Sequence, residues 1–103
     1  MTAEFLEAWM TLLPSDAGGR SSAIHPRDGS YRPFAVTRDG VRVRILIIEG
    51  PPAIDPGHDG RVVAELEEPI SAVLFAGMEL DLVEHDRCVG ILTVMRRCRA
   101  AVA

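Results

Sequence analysis

Turn chemistry cuts this chain into short pieces at nearly regular intervals, and that punctuation limits its fold more than any other feature. Ala17-Gly18-Gly19, Pro26-Arg27-Asp28-Gly29-Ser30, Arg38-Asp39-Gly40, Gly50-Pro51-Pro52, Asp55-Pro56-Gly57 and Glu84-His85-Asp86 all read as turns or loops. Between them lie segments rich in β-branched residues. Val41–Ile48 begins in strict alternation and then turns fully apolar. Arg61–Glu67 and Glu79–Glu84 alternate at period two, and Cys88–Met95 reads as a last strand. Alternation puts Leu80 and Leu82 on one face and Glu79 and Asp81 on the other. Leu80–Val83 and Val89–Val94 are expected to pair as a hairpin, and Arg38-Asp39-Gly40 to close another with Gly40 at positive φ. Short strands joined this way indicate a sandwich or a small closed barrel. Glu4–Leu13 is the exception. Phe5, Leu6, Trp9, Leu12 and Leu13 recur at helical spacing, so periodicity alone predicts a helix there.

A chain of 103 residues, 48% apolar, has room for one domain with one core. Aromatics make up only 5%, so Val, Ile, Leu and Ala must build that core. No run of ~18 apolar residues exists to span a membrane as a helix. The first residues carry acids and no basic segment, so no secretory signal is expected and a cytoplasmic location is. Cys88 and Cys98 are too few for a disulfide framework and are expected to be unpaired, buried or half-buried thiols.

The charge pattern is sharper than the composition. Every basic residue is arginine, and the charges fall in blocks. Residues 1–19 carry a net −3, residues 20–45 a net +4, residues 46–86 a net −9 and residues 87–103 a net +4, for −4 in all. Overall acidity argues against non-specific nucleic-acid binding. A mixed, solvated surface is the plain expectation, and the two basic blocks gathered into one patch the alternative.

The search for reaction chemistry finds little. There is no GxxxxGK loop to cradle phosphates, so the chain is expected to bind no GTP itself. His25, His58 and His85 lack metal-ligand spacing, and His58 with Asp55 and Asp59 reads as a solvated turn. His85-Asp86 beside Cys88 lacks a third orienting group. Glu65, Glu67 and Glu68, with Glu79 and Asp81, read as solvated strand faces. No catalytic residue, metal or cofactor is expected.

The order of several short motifs carries more. Gly18-Gly19-Arg20, then Ile24, then Tyr31-Arg32-Pro33, resembles the opening of the third, C-terminal domain of elongation factor Tu. Asp55-Pro56-Gly57 matches a turn of that family in position. Val62–Ile70 is similar to its following strand, and Gly77-Met78, Leu80, Leu82, Glu84, Arg87, Val89-Gly90 and Val94 are similar to its closing segment. The resemblance spans about residues 5–96. It implies an all-β fold, a six-stranded antiparallel Greek-key closed β-barrel standing alone, with Glu7–Leu13 a first strand instead of a helix. Residues 97–103 would then be a flexible tail or an extension of the last strand.

The resemblance also implies a non-enzymatic binding module without its GTPase domain, since this domain in the family touches aminoacyl-tRNA and packs on the GTPase domain and the exchange factor. The candidate binding residues are Arg20, Tyr31, Arg32 and Arg87, at positions that match the family, and Arg38, which lies where the family's pattern is lost. Arginine forks suit carboxylate or phosphate, and the competing expectation is that Arg20, Arg32 and Arg87 pair with nearby acids and fix the barrel ends. Tyr31 is expected to plug the core or rim. The family's threonine-rich loop is replaced by Phe34–Gly40, its glycine pair before Arg87 by His85-Asp86, and lysine is absent. These departures favour a protein partner over tRNA. The alternative is a protein-interaction subunit that keeps only the barrel and has no role in translation.

Overall fold

A computed structural model describes residues 2–67 and 73–101 of the chain. The strands are β1 (Thr2–Leu12), β2 (Phe34–Val36), β3 (Arg42–Glu49), β4 (Asp59–Leu66), β5 (Glu79–Glu84) and β6 (Arg87–Ala101), with two single-turn 3-10 helices at Ser15–Ala17 and Pro26–Asp28. All six strands pair antiparallel and close into a barrel in the order β1-β4-β3-β2-β5-β6. Among the described residues no α-helix forms, and no helix is long and apolar enough to cross a membrane.

The helix that periodicity alone predicts for Glu4–Leu13 does not form; the segment is a strand, as the resemblance implied for Glu7–Leu13, and it begins earlier, at Thr2. Leu6, Ala8, Met10 and Leu12 are buried to 1% exposure or less, whereas Trp9 between them is 42% exposed. The segment holds both periods at once. Ala8 and Met10 complete the period-two set, and pairing with β4 on one side and β6 on the other makes that set the buried one. The other strands follow their alternation. Leu80 and Leu82 face inward with Glu79 and Asp81 exposed. Val43, Ile45 and Ile47 on β3 meet Val62, Ala64 and Leu66 on β4, and Ile24 and Ile54 cover one end through an isolated bridge. Among the described residues the buried core contains no aromatic ring; Tyr31, partly buried, packs against it. Aliphatic side chains of this size fill a narrow barrel.

Both expected hairpins form. The 37–40 turn joins β2 to β3, with Gly40 at φ 86° and its N–H donating to Thr37 O at 2.9 Å. Glu84 pairs with Arg87 across a two-residue loop, and His85 and Asp86 adopt φ values of 46° and 66°. Positive φ at both positions is the type I′ geometry that matches strand twist, and it normally selects Asn-Gly or Gly-Gly.

The last strand runs past the expected Met95 to Ala101, opposite Thr2. Part of the tail offered as flexible, residues 97–101, is thus strand; residues 102–103, like Glu68, Pro69 and Ile70 of the similar segment, lie outside the described residues. A bulge at Met95 explains the extension. Glu7 pairs with Arg96 and Ala8 with Val94, so Met95 and Arg96 both point outward and the parity of the strand reverses beyond them. Arg97 and Arg99 then fall on the inward parity, at the barrel end where Glu4 sits. Arg97 Nε donates to Glu4 at 2.8 Å and Arg99 Nε at 3.2 Å. Glu7 on the outer face takes Arg61, and Arg96 at 2.9 Å. The N-terminal acidic block and the C-terminal basic block neutralise each other across β1 and β6, and three arginines of the C-terminal block are engaged there instead of joining residues 20–45 in one patch.

Candidate binding site

Gly19 starts the site. Its N–H donates to Pro14 O at 3.0 Å, and a Cβ built there would stand 2.1 Å from Leu13 O, so only glycine lets the chain turn this tightly. The turn is held further by Ser15 Oγ, which donates to Arg20 O at 2.7 Å. From it the Arg20 side chain crosses to the end of β5, where Nη1 pairs with Glu84 Oε2. The Tyr31 hydroxyl donates to the same oxygen. The Arg20 guanidinium carbon lies 5.1 Å from the Tyr31 ring centre. Arg20 and Glu84 side chains are each only 19% exposed. Burial pushes the Tyr31 phenol well above its ordinary value, and the neighbouring Glu84 carboxylate adds to the rise. These three groups form a pin that ties the loop after β1 to the β5–β6 hairpin. Arg87 reaches the same loop, its Nη2 a long 3.5 Å from Gly19 O.

Arg32 is engaged elsewhere. Its Nη2 lies 2.8 Å and 2.9 Å from the two Glu67 oxygens, and this contact raises the guanidinium pKa further. The expected pairing with acids therefore holds for Arg20 and Arg32, while Arg87 meets a carbonyl.

Beside the pin opens a cleft of about 410 Å³ lined by Arg20, Tyr31, Arg32, Phe34, Arg42 and Arg44, with Glu84, His85 and Asp86 on one wall. Three of the five residues singled out from sequence meet here. Arg87 lies beside the pin, and Arg38, exposed in the 37–40 turn, does not line the cleft. The residues that sequence reasoning missed are Phe34, Arg42 and Arg44. Phe34 pairs with Arg44 across the β2–β3 ladder and Val36 with Arg42, all on the outer face. Register thus brings two guanidinium groups onto one aromatic ring, their carbons 4.6 Å (Arg42) and 4.2 Å (Arg44) from its centre. The signal existed: Arg42 and Arg44 sit two apart on an alternating strand, one turn away from Phe34.

The cleft arginines are unequally committed. Arg20 is held by Glu84 and Arg32 by Glu67. Arg42 meets Asp86 at 3.3 Å, with Asp86 88% exposed, a pair that solvent weakens. Arg44 has no carboxylate partner among the described residues. The arrangement suits binding an anionic group. Among the described residues no three His, Cys, Asp or Glu side chains come together to hold a metal ion. Both cysteines are unpaired; Cys98 is half-buried, but Cys88 is exposed, correcting its expected burial. It sits next to the hairpin tip, where the barrel no longer covers it, and its thiol points to Gly90 O at 3.4 Å instead of to His85.

In comparisons with known proteins, no family model matches this chain and no curated protein matches it.

Proposed function

We propose that this chain is a non-catalytic binding module that grips another macromolecule through the arginine cleft at β2, β3 and β5, in the manner of the third domain of elongation factor Tu. The observation that carries the reading is Arg42 and Arg44 both against the Phe34 ring, with Arg44 unengaged by any acid among the described residues. The closed six-stranded barrel fits that family reading. So does the strand order: β2, β3 and β4 are sequential neighbours and β1 returns beside β4, which supports a Greek-key topology. Arg20 and Tyr31-Arg32-Pro33, which carry part of the resemblance, line the same cleft.

The second reading is a protein-interaction subunit with no role in translation. It is favoured by the carboxylates on the neighbouring outer faces, Glu65 on β4 and Glu79 and Asp81 on β5, which disfavour a polyanion such as tRNA.

Capture from a cell extract with wild type and with an Arg42→Gln/Arg44→Gln double variant, followed by mass spectrometry, separates the two readings. Translation components lost with the double variant support the first. Another protein lost with it supports the second. Identical capture by both forms contradicts the assignment of the cleft. Labelled aminoacyl-tRNA adds a direct check: a tRNA-binding module holds it at low salt and releases it steeply as ionic strength rises.

A further inference from the structure

The chemistry of the cleft narrows what it takes. Arg44 lies over the Phe34 ring, its guanidinium carbon 4.2 Å from the ring centre, and no carboxylate among the described residues takes its N–H donors. Arg42, 4.6 Å from the same ring centre, has the exposed Asp86 as its carboxylate partner and is free to exchange it. Phe34 and Val83, paired across β2 and β5 and both half-buried in the lining of the cleft, offer an apolar floor for the methylene stem of a side chain.

The surroundings decide between anions. Going outward across the sheet, the arginine strip on β3 is flanked by Glu65 and Glu67 on β4 and, beyond β2, by Asp81 and Glu79 on β5. Neighbouring strands are about 4.8 Å apart, so these acids lie roughly one to two strand spacings from Arg42 and Arg44. That is within or near a Debye length of about 8 Å at physiological salt. A nucleic-acid backbone needs a cation at each of several successive phosphates and would run into carboxylates on both sides. A single carboxylate meets Arg44 and can take the place of the exposed Asp86 on Arg42, while Glu84 on the same wall is already held by Arg20 and Tyr31. A segment whose next charges are positive would place them over the flanking acids, two to three extended residues away at about 3.3 Å each.

We infer that the Phe34–Arg44 cleft seats a carboxylate side chain from a segment of a partner protein, with basic residues flanking that carboxylate. The inference rests on the binding-module reading and names its ligand.

The test is an amide chemical-shift titration of the whole chain with three probes. They are a capped heptapeptide Lys-Gly-Ser-Glu-Ser-Gly-Lys, the same peptide with Gln at its centre, and a short RNA duplex. The expected result is that the glutamate peptide shifts the amides of Phe34, Arg42 and Arg44, and that the glutamine peptide and the RNA bind there at least about tenfold more weakly. Arg44→Gln, with amide dispersion showing it folded, reduces glutamate-peptide binding by a similar factor, and Arg44→Lys restores it only in part because the fork is lost. If RNA moves these amides and the glutamate peptide does not, the binding module stands and the carboxylate assignment falls. If the glutamate peptide binds Arg44→Gln as well as wild type, the assignment also falls. If no probe reaches the cleft, both the inference and the binding-module reading fail.

Discussion

At the scale of single residues, Glu84 does the most. One carboxylate oxygen accepts from both Arg20 and Tyr31 in a mostly buried setting. Glu84→Ala leaves a guanidinium and a phenol without their acceptor, and the expected loss is about 2 kcal/mol, below that of a fully buried pair because a fifth of each charged side chain meets solvent. Tyr31→Phe removes one hydrogen bond and is expected to cost about 1 kcal/mol; denaturant titration measures both. Tyr31 also makes an alkaline prediction. Its folded-state pKa lies above the ordinary 10.0. Above pH 10 the unfolded chain loses the phenol proton while the folded chain keeps it, so stability falls as pH rises past that point. Tyr31 is the only tyrosine, so the ultraviolet signal of phenolate reads it alone. That signal should appear together with loss of the fold. A phenolate signal near pH 10 with the fold intact would contradict the pin. Arg20, Tyr31 and Arg32, which line the cleft, were singled out through the resemblance. Phe34, Arg42 and Arg44 were not, because their role arises only when the β2–β3 register sets ring and guanidinium groups side by side.

At the scale of elements, the β5–β6 hairpin and the β1–β6 ladder carry the testable features. His85 and Asp86 occupy positive φ without being glycine, where the left-handed conformation costs roughly 1–2 kcal/mol per residue. Replacing the pair by Asn-Gly is expected to raise stability by about 1 kcal/mol, net of the exposed Arg42–Asp86 contact it removes. A lower melting midpoint would contradict the turn assignment. The end of the β1–β6 ladder should be acid-sensitive. Hydrogen bonding from Arg97, aided by Arg99, holds the Glu4 carboxyl below its ordinary 4.5. The stability it contributes is present above that value and lost as pH falls through the depressed one. Amides of Thr2–Phe5 and Arg97–Arg99 are expected to lose protection, corrected for intrinsic exchange, on acidification while those in mid-barrel keep theirs, and end protection that does not change with pH would count against this ion-pair end.

The strand boundaries show what periodicity reveals and what it hides. β3, β4 and β5 were readable because alternation and turn residues agree there. β1 was not, since its apolar residues satisfy two periods and only its partners choose between them. The extension of β6 was not, since the bulge at Met95 changes which arginines face inward.

At the scale of the whole molecule, acid and base blocks separated in sequence are brought together in pairs. β1 carries Glu4 and Glu7 to the arginines of β6, and the loop and strand arginines 20, 32 and 42 find Glu84, Glu67 and Asp86. What remains around Phe34 is Arg44, without a carboxylate partner among the described residues, beside Arg42 in its exposed pair. In the proposed reading this local charge, more than the net −4, is what a partner meets.

The most direct measurement is the affinity of the partner recovered from extract for four folded forms of this protein: wild type, Arg42→Gln, Arg44→Gln and Arg38→Gln. Each substitution removes one positive charge, so a diffuse electrostatic attraction would respond to all three alike. Binding through the cleft is expected to weaken at least about tenfold with Arg42→Gln and Arg44→Gln and to stay near wild type with Arg38→Gln. Wild-type affinity in Arg44→Gln, or equal losses in all three, would contradict it.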